Sequence, residues 1–103
     1  MKYVMIYETS AEGLAKAAGL YVAHRARLEE FHARGELLMA GPLMAPTDGA
    51  MGIFTSREAA EAFIAGDPFV LGGVVARHSI REWNEVLAEG PISTPQPKRV
   101  ELR

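Results

Sequence analysis

The stretch Leu20–Gly35, LYVAHRARLEEFHARG, decides the fold of this chain. Its apolar residues recur at the three- and four-residue spacing that places side chains on one face of an α-helix. These residues are Leu20, Tyr21, Leu28 and Phe31. His24 falls on the same face, so the spacing predicts an amphipathic helix that turns one histidine toward the interior. A buried imidazole needs a polar partner there.

Glycines bound this helix on both sides. Gly35 stands where a helix commonly ends, because glycine accepts the left-handed conformation of the C′ position. The preceding segment, Thr9–Gly19, is predicted as a loop with a single turn at most, since Gly13 and Gly19 weaken a continuous helix. His32 is predicted to lie at the surface in the last turn, and the charged residues to point mostly away from the apolar face. These charged residues are Arg25, Arg27, Glu29, Glu30 and Arg34.

Four short apolar segments predict β-strands. They are Lys2–Glu8, Glu36–Ala40, Met51–Thr55 and Val74–Trp83. A second helix is predicted between the third and fourth strands, with Ser56 as its N-cap and Gly66 at its end, and one further helical turn after the last strand, through Leu87. The order β-α-β-β-α-β predicts an α+β fold of the ferredoxin-like type, in which a four-stranded antiparallel sheet carries both helices on one face.

Length and composition favour one ordinary globular domain. The chain has 103 residues, 49% of them hydrophobic and 23% charged. Residues 1–89 are predicted to form the α+β domain. Residues 90–103, GPISTPQPKRVELR, are predicted to form an extended tail, because this segment contains three prolines.

Composition also excludes several functions. The formal charge of −2 gives no electrostatic reason to expect nucleic acid. No apolar run is long enough to cross a membrane, and the first residues, MKYVMIYE, are typical of a strand rather than a signal peptide. The sequence has no cysteine, which excludes disulfides and thiolate chemistry and favours a cytoplasmic location.

Both faces of the predicted sheet are apolar. In the first strand the two alternating sets are Tyr3, Met5 and Tyr7 on one face, and Val4 and Ile6 on the other. The second strand repeats the pattern, with Leu37 and Met39 predicted to share one face. Two helices cover only one face of such a sheet, so the other face predicts a homodimer that packs sheet against sheet.

Asp67 is the candidate partner of His24. It follows the second predicted helix, at a place that this fold can bring close to the first helix. A carboxylate that accepts a hydrogen bond from one imidazole nitrogen fixes the tautomer and leaves the other nitrogen to take or give a proton. Structural roles are the alternative: His24 can bond a backbone carbonyl, and Asp67 can simply cap a turn that begins at Pro68.

His78 is a weaker candidate for the site. It alternates with Val74, Ala76 and Ile80 on one face of the last strand, which favours packing or a dimer contact, with a pocket role secondary. A metal site of His24, Asp67 and His78 lacks any recognisable ligand spacing, so neither a metal nor another cofactor is predicted.

Several of these segments, in this order, resemble the YCII-related family. They are AHRARL at residues 23–28, GELLMAGPL at 35–43, SREAA at 56–60, DPF at 67–69 and GV at 73–74. The resemblance runs over residues 2–83 and implies a dimeric α+β barrel with an active site centred on a histidine and an aspartate, which are His24 and Asp67 here. One relative in the family is linked to dehydrochlorination of a chlorinated hydroquinone.

The leading hypothesis is therefore an enzyme that acts on a small organic compound, aromatic or carbonyl-bearing, by proton transfer at a His24–Asp67 pair. Tyr7, Met39, Phe69 and His78 are the predicted substrate contacts. The alternative is a non-catalytic module of the same fold that binds a small ligand. A purely structural, oligomer-building protein is a third hypothesis, and a cofactor-independent oxygenase is suggested by analogy of fold alone.

Overall fold

A computed structural model describes residues 1–45 and 49–89, in seven elements. These are β1 (Lys2–Thr9), α1 (Gly13–Ala33), β2 (Leu37–Pro42), β3 (Ala50–Phe54), α2 (Arg57–Gly66), α3 (Pro68–Leu71) and β4 (Val75–Trp83). Residues 84–89 contain no helix, so the turn predicted through Leu87 is wrong. The predicted tail, residues 90–103, lies outside the described residues.

The four strands form one antiparallel sheet in the order β2-β3-β1-β4. The two crossovers that contain α1 and α2 place β1 and β3 at the centre of the sheet and β2 and β4 at its edges. This is the ferredoxin-like α+β arrangement, and the fold class predicted from the sequence is confirmed.

The main helix starts earlier than its glycines predict. α1 is continuous from Gly13, so the expected loop over Thr9–Gly19 is wrong. At Gly13 an added Cβ would lie 2.4 Å from the carbonyl oxygen of Val74, and the missing side chain lets the helix begin against the segment that leads into β4. At Gly19 no described atom beyond its chain neighbours and the backbone of its own helix lies within 4 Å of such a Cβ, and this glycine is exposed. Tertiary contact at the start of the helix outweighs the low helix propensity of both residues.

The predicted helix caps are confirmed. Gly35 has φ of 79°, and its N–H and that of Glu36 donate to the carbonyls of His32 and Phe31, which is the Schellman arrangement. The Ser56 hydroxyl accepts from the backbone N–H of Ala59 and caps α2.

The core lies between both helices and the sheet. Phe31, Phe54 and Phe63 are almost fully buried, and their rings meet at centroid distances of 5.2 to 6.5 Å. Arg27 does not point away from this core as predicted. Its guanidinium donates to the carbonyl oxygens of Phe63 and Ala62 in the last turns of α2 and lies over the Phe31 ring, so a long charged side chain ties the two helices together.

One register shift changes which residues of β2 share a face. Leu37 pairs with Phe54 on the face that the helices cover, whereas Met39 pairs with Ile53 on the open face. The expectation that Leu37 and Met39 lie on the same face is therefore wrong. The extra residue, Leu38, interrupts the strict alternation of the strand.

Replacing Gly19 with alanine is expected to stabilise the chain by about 1 kcal/mol, because the site is helical, exposed and free of steric conflict. The same substitution at Gly13 is expected to destabilise it, because the new methyl would meet the Val74 carbonyl. Urea denaturation followed by circular dichroism measures both free energies of unfolding. Equal effects of the two substitutions would contradict this description of the helix start.

Candidate functional site

A cavity of about 530 Å³ opens between α1 and the sheet on the side of β1, β3 and β2. Its walls are mainly apolar, and Met5, Leu14, Leu28, Leu37, Phe69 and Val74 contribute to them. Tyr7 and His24 also line it, and both side chains are almost completely buried. A concave apolar site with a few polar groups on its wall is typical of small-molecule binding.

Asp67 stands behind this wall and accepts three hydrogen bonds. Its Oδ1 lies 2.7 Å from Nδ1 of His24 and 3.0 Å from the backbone N of Phe69. Its Oδ2 lies 2.6 Å from the hydroxyl oxygen of Tyr7. The residue has no exposed surface, so these three donors replace the water that a carboxylate would otherwise bind. They come from α1, β1 and α3, and Asp67 therefore ties three elements together.

The sequence brings these groups together for local reasons. The helix period turns His24 inward, and the strand alternation turns Tyr7 toward the same side of the sheet. Asp67 is the N-cap of α3, with Pro68 in the first position of that helix, so its side chain is already turned toward the backbone N–H of Phe69. The capping role predicted for Asp67 is confirmed, and the contact with His24 is made by the same side chain.

The position of His24 leaves one nitrogen available. Nδ1 faces Asp67, and the ring stacks on the Phe69 ring with the centroids 3.8 Å apart and the planes nearly parallel. Among the described residues no group bonds Nε2, and this atom is not sealed from solvent. A carboxylate acceptor favours the neutral tautomer that carries its proton on Nδ1, so the lone pair of Nε2 is free to accept a proton at the cavity.

Tyr7 was predicted to contact the substrate, but its hydroxyl is directed at Asp67 and not at the cavity. Burial raises the pKa of Tyr7 well above its usual range, and the hydrogen bond to Asp67 raises it further. The phenol therefore stays protonated and donates to the carboxylate, while its ring forms part of the cavity wall.

The other predicted contacts are divided between two places. Phe69 lines the cavity and supports the imidazole. Met39 contributes to the cavity rim at β2, although its pairing with Ile53 places it on the open face of the sheet. His78 lies elsewhere, in a shallow groove between α2 and β4. Cα pairing places His78 beside Tyr7 on the same face of the sheet. Its exposed side chain nevertheless lines the groove beside α2 and is not part of the cavity wall. Within residues 1–45 and 49–89, no group of three histidine, aspartate or glutamate side chains is arranged to hold a metal ion.

The sequence reasoning missed the polar residues at the cavity mouth. Arg25, Glu29 and His32 are exposed, as predicted, and they also line the cavity. Arg25 bonds both Glu29 and the Tyr21 hydroxyl, and His32 bonds the carbonyl of Leu37. These three residues lie four, eight and eleven positions after Tyr21, so they continue the helix face that contains Tyr21 and His24. This spacing is the sequence signal that could have identified them.

The comparisons with known proteins agree with this fold. The family model described as the YCII-related domain matches residues 1–84. Two curated relatives, the proteins named YciI of Escherichia coli O6:H1 strain CFT073 and of Shigella flexneri, are each 36% identical over 97 residues. The alignment covers 84% of this chain and 99% of each relative.

A similar solved structure is the 5-chloro-2-hydroxyhydroquinone dehydrochlorinase TftG from Burkholderia phenoliruptrix AC1100, in complex with 2,5-dihydroxybenzoquinone. It matches with a TM-score of 0.69 over 82% of this chain and 94% of that chain. The sequence identity is 22%, and at this level the likeness shows a shared fold. None of the helices described in residues 1–45 and 49–89 is long and apolar enough to span a membrane.

Replacing Asp67 with alanine is expected to destabilise the chain by about 3 kcal/mol, because it leaves three donors without an acceptor in a buried place. The matched control is Ser56→Ala, which removes the N-cap of α2 and is expected to cost about 1 kcal/mol. Equilibrium unfolding in urea gives both values. A cost for Asp67→Ala no larger than that for Ser56→Ala would mean that Asp67 acts only as a cap.

Proposed function

The chain belongs to the YCII-related family, and from this premise we propose that it is a small-molecule enzyme in which His24 transfers a proton and Asp67 orients the imidazole. The observation that carries the proposal is the 2.7 Å contact between Nδ1 of His24 and Oδ1 of Asp67, on a ring whose Nε2 opens to a cavity. A general base needs this combination of a fixed tautomer and a reachable lone pair.

In the proposed reaction Nε2 takes a proton from an acidic O–H or C–H group of the substrate. The imidazolium that forms is stabilised by the carboxylate of Asp67, whose hydrogen bonds to Tyr7 and to the Phe69 backbone hold it in place. The same proton can be returned to another atom of the substrate, or lost to water. The stack on Phe69 restricts rotation of the imidazole and keeps Nε2 directed at one point of the cavity.

The proposed substrate is a small, flat organic compound, aromatic or carbonyl-bearing. The cavity has room for a single ring with substituents, and its apolar lining favours such a ring over a strongly charged metabolite. TftG, which has the same fold, is crystallised with 2,5-dihydroxybenzoquinone, a compound of this class. Arg25 and Glu29 at the mouth are suited to meet polar substituents of the ring.

A second candidate function is a non-catalytic module that binds a ligand of the same class. The observation that favours it is the role of Asp67 as N-cap of α3, which explains the presence of an aspartate without any chemistry. In this case His24 would contribute a hydrogen bond through Nε2 and would transfer no proton.

We also propose that two copies pair through the open face of the sheet to form a dimeric α+β barrel in the cytoplasm. This face carries Val4, Ile6 and Ile53 at its centre, all half-buried, and Trp83 toward one edge with 46% of its surface exposed. An apolar sheet face without a covering layer favours association with a second copy. The absence of cysteine supports a reducing compartment.

The variant His24→Gln is expected to lose turnover of substituted hydroquinones or benzoquinones by about 100-fold or more, because glutamine can hydrogen-bond but cannot take up a proton. The control is His78→Gln, which makes the same substitution outside the cavity and should keep wild-type rates. Rates are followed by the ultraviolet absorbance of the compounds, and binding by chemical shift changes in NMR spectra. Equal turnover by wild type and His24→Gln would contradict the proposal, whereas wild-type binding without turnover would favour the second candidate.

The variant Ile6→Lys is expected to convert a dimer into monomers, because an unpaired ammonium at the centre of the interface is costly to bury. Ile6 is half-buried in a single copy, so the variant is expected to fold. The control, Val22→Lys, adds the same charge on the outer side of α1, where the side chain is 82% exposed. Sedimentation equilibrium gives the masses. A monomeric wild type, or an Ile6→Lys chain that sediments as a dimer, would overturn the dimer proposal.

A further inference from the structure

Tyr7 belongs to the site without offering its hydroxyl to the cavity. Its side chain is 3% exposed, and its hydroxyl lies 2.6 Å from Oδ2 of Asp67. We propose that Tyr7 is a positioning residue: its hydrogen bond to Oδ2 fixes the Asp67 carboxylate and, through it, the His24 ring, with Nε2 facing the cavity. This inference rests on the proposed function, in which His24 transfers a proton.

The geometry gives each oxygen of Asp67 a separate task. Oδ1 accepts from both His24 and the Phe69 backbone, so it cannot turn away without breaking the cap of α3. Among the described residues, the donor to Oδ2 is Tyr7. Because Asp67 has no exposed surface, water does not replace the phenol, and loss of the hydroxyl would leave Oδ2 as a buried carboxylate oxygen without a donor.

The hydroxyl also affects the protonation of His24, and the sign follows from charge. When His24 is neutral, the negative charge of Asp67 has no counter-charge next to it, and the bond from the phenol is at its strongest. When His24 is protonated, the imidazolium already compensates the carboxylate, and the same bond is weaker. Tyr7 therefore stabilises the neutral imidazole more than the imidazolium, and removal of its hydroxyl is expected to favour the imidazolium.

The Tyr7 phenol stays protonated at neutral pH and can donate its hydrogen bond to Asp67. Its pKa is raised by burial first and by Asp67 second, while the charge of Arg27 lowers it slightly, so the phenol remains a donor. Among the described residues, Asp67 bonds the imidazole and Tyr21 lies beside it. The other titratable groups on the wall of the same cavity are Tyr7 from β1 and Arg25, Glu29 and His32 from α1. The ring that α2 contributes, Phe63, is apolar. Of these groups, Asp67 and Tyr7 form the bonded chain that ends at Nδ1 of His24.

The chain contains a matched control for the hydroxyl. Tyr3 lies on the same face of β1, four residues away, half-buried and beneath the Arg57 guanidinium rather than beside Asp67. Tyr3→Phe and Tyr7→Phe thus remove the same atom from the same strand. In ¹⁵N-detected NMR of histidine-labelled chains, Tyr7→Phe is expected to raise the midpoint of the His24 titration by about half a pH unit or more. Tyr3→Phe should leave it at the wild-type value.

A second experiment retains the Tyr7 hydroxyl and therefore tests the proposal even if the Tyr7→Phe chain does not fold. In a chain with Tyr3→Phe and Tyr21→Phe, Tyr7 is the remaining tyrosine, because the sequence has three. Replacing it with 3-fluorotyrosine makes the hydroxyl a stronger donor and is expected to lower the midpoint of the His24 titration relative to the same chain with ordinary tyrosine. These NMR measurements need no substrate, so their result is separate from any failure of the proposed enzyme activity.

The outcomes are decisive for Tyr7. Opposite shifts of the His24 titration in Tyr7→Phe and in the fluorotyrosine chain, with Tyr3→Phe unchanged, would support the positioning role. An unchanged titration in either Tyr7 experiment, or an equal shift in Tyr3→Phe, would overturn it. Where a substrate is known, Tyr7→Phe is further expected to lower kcat more than it changes KM, with the pH profile displaced in the same direction as the titration.

Discussion

The structure depends on the burial of one carboxylate. Asp67 has no contact with solvent, and its two oxygens are satisfied by an imidazole, a phenol and a backbone N–H that come from three different elements. An ionisable group in this position is stable only when its donors are held firmly. The requirement therefore fixes the distance between α1, β1 and α3 more tightly than apolar packing would.

The cavity and the carboxylate constrain each other. On the side of α2, three phenylalanine rings and Arg27 fill the space between α1, α2 and the sheet. On the side of β2, α1 stands away from the sheet and leaves a cavity that a small ring can enter. His24 lies at the boundary between these two regions, packed on Phe69 and bonded to Asp67 while one nitrogen reaches the cavity. A single helix thus supplies both the core and the wall of the site.

The chain belongs to the YCII-related family and shares its fold with TftG. Within this fold Asp67 has two structural tasks, because it caps α3 and also accepts from His24. Its capping bond orients one oxygen, the same oxygen meets His24, and Tyr7 secures the other. The aspartate that caps α3 therefore also fixes the orientation of the His24 imidazole, with little additional cost in stability.

The sequence by itself determined the order of the elements, the sheet topology, the caps at Gly35, Ser56 and Asp67, and the inward direction of His24, because periodicity and capping act over a few neighbouring residues. It also named Asp67 as the partner, by family resemblance rather than by spacing.

The remaining features depend on contacts between residues that are distant in the sequence. The early start of α1 depends on contact between Gly13 and the segment before β4. The position of Met39 on the open face of the sheet depends on a register shift next to Leu38. The donor role of Tyr7 and the separation of His78 from the cavity depend on distances across the sheet. Local sequence patterns contain no information about such distances, since the residues concerned meet only after the chain has folded.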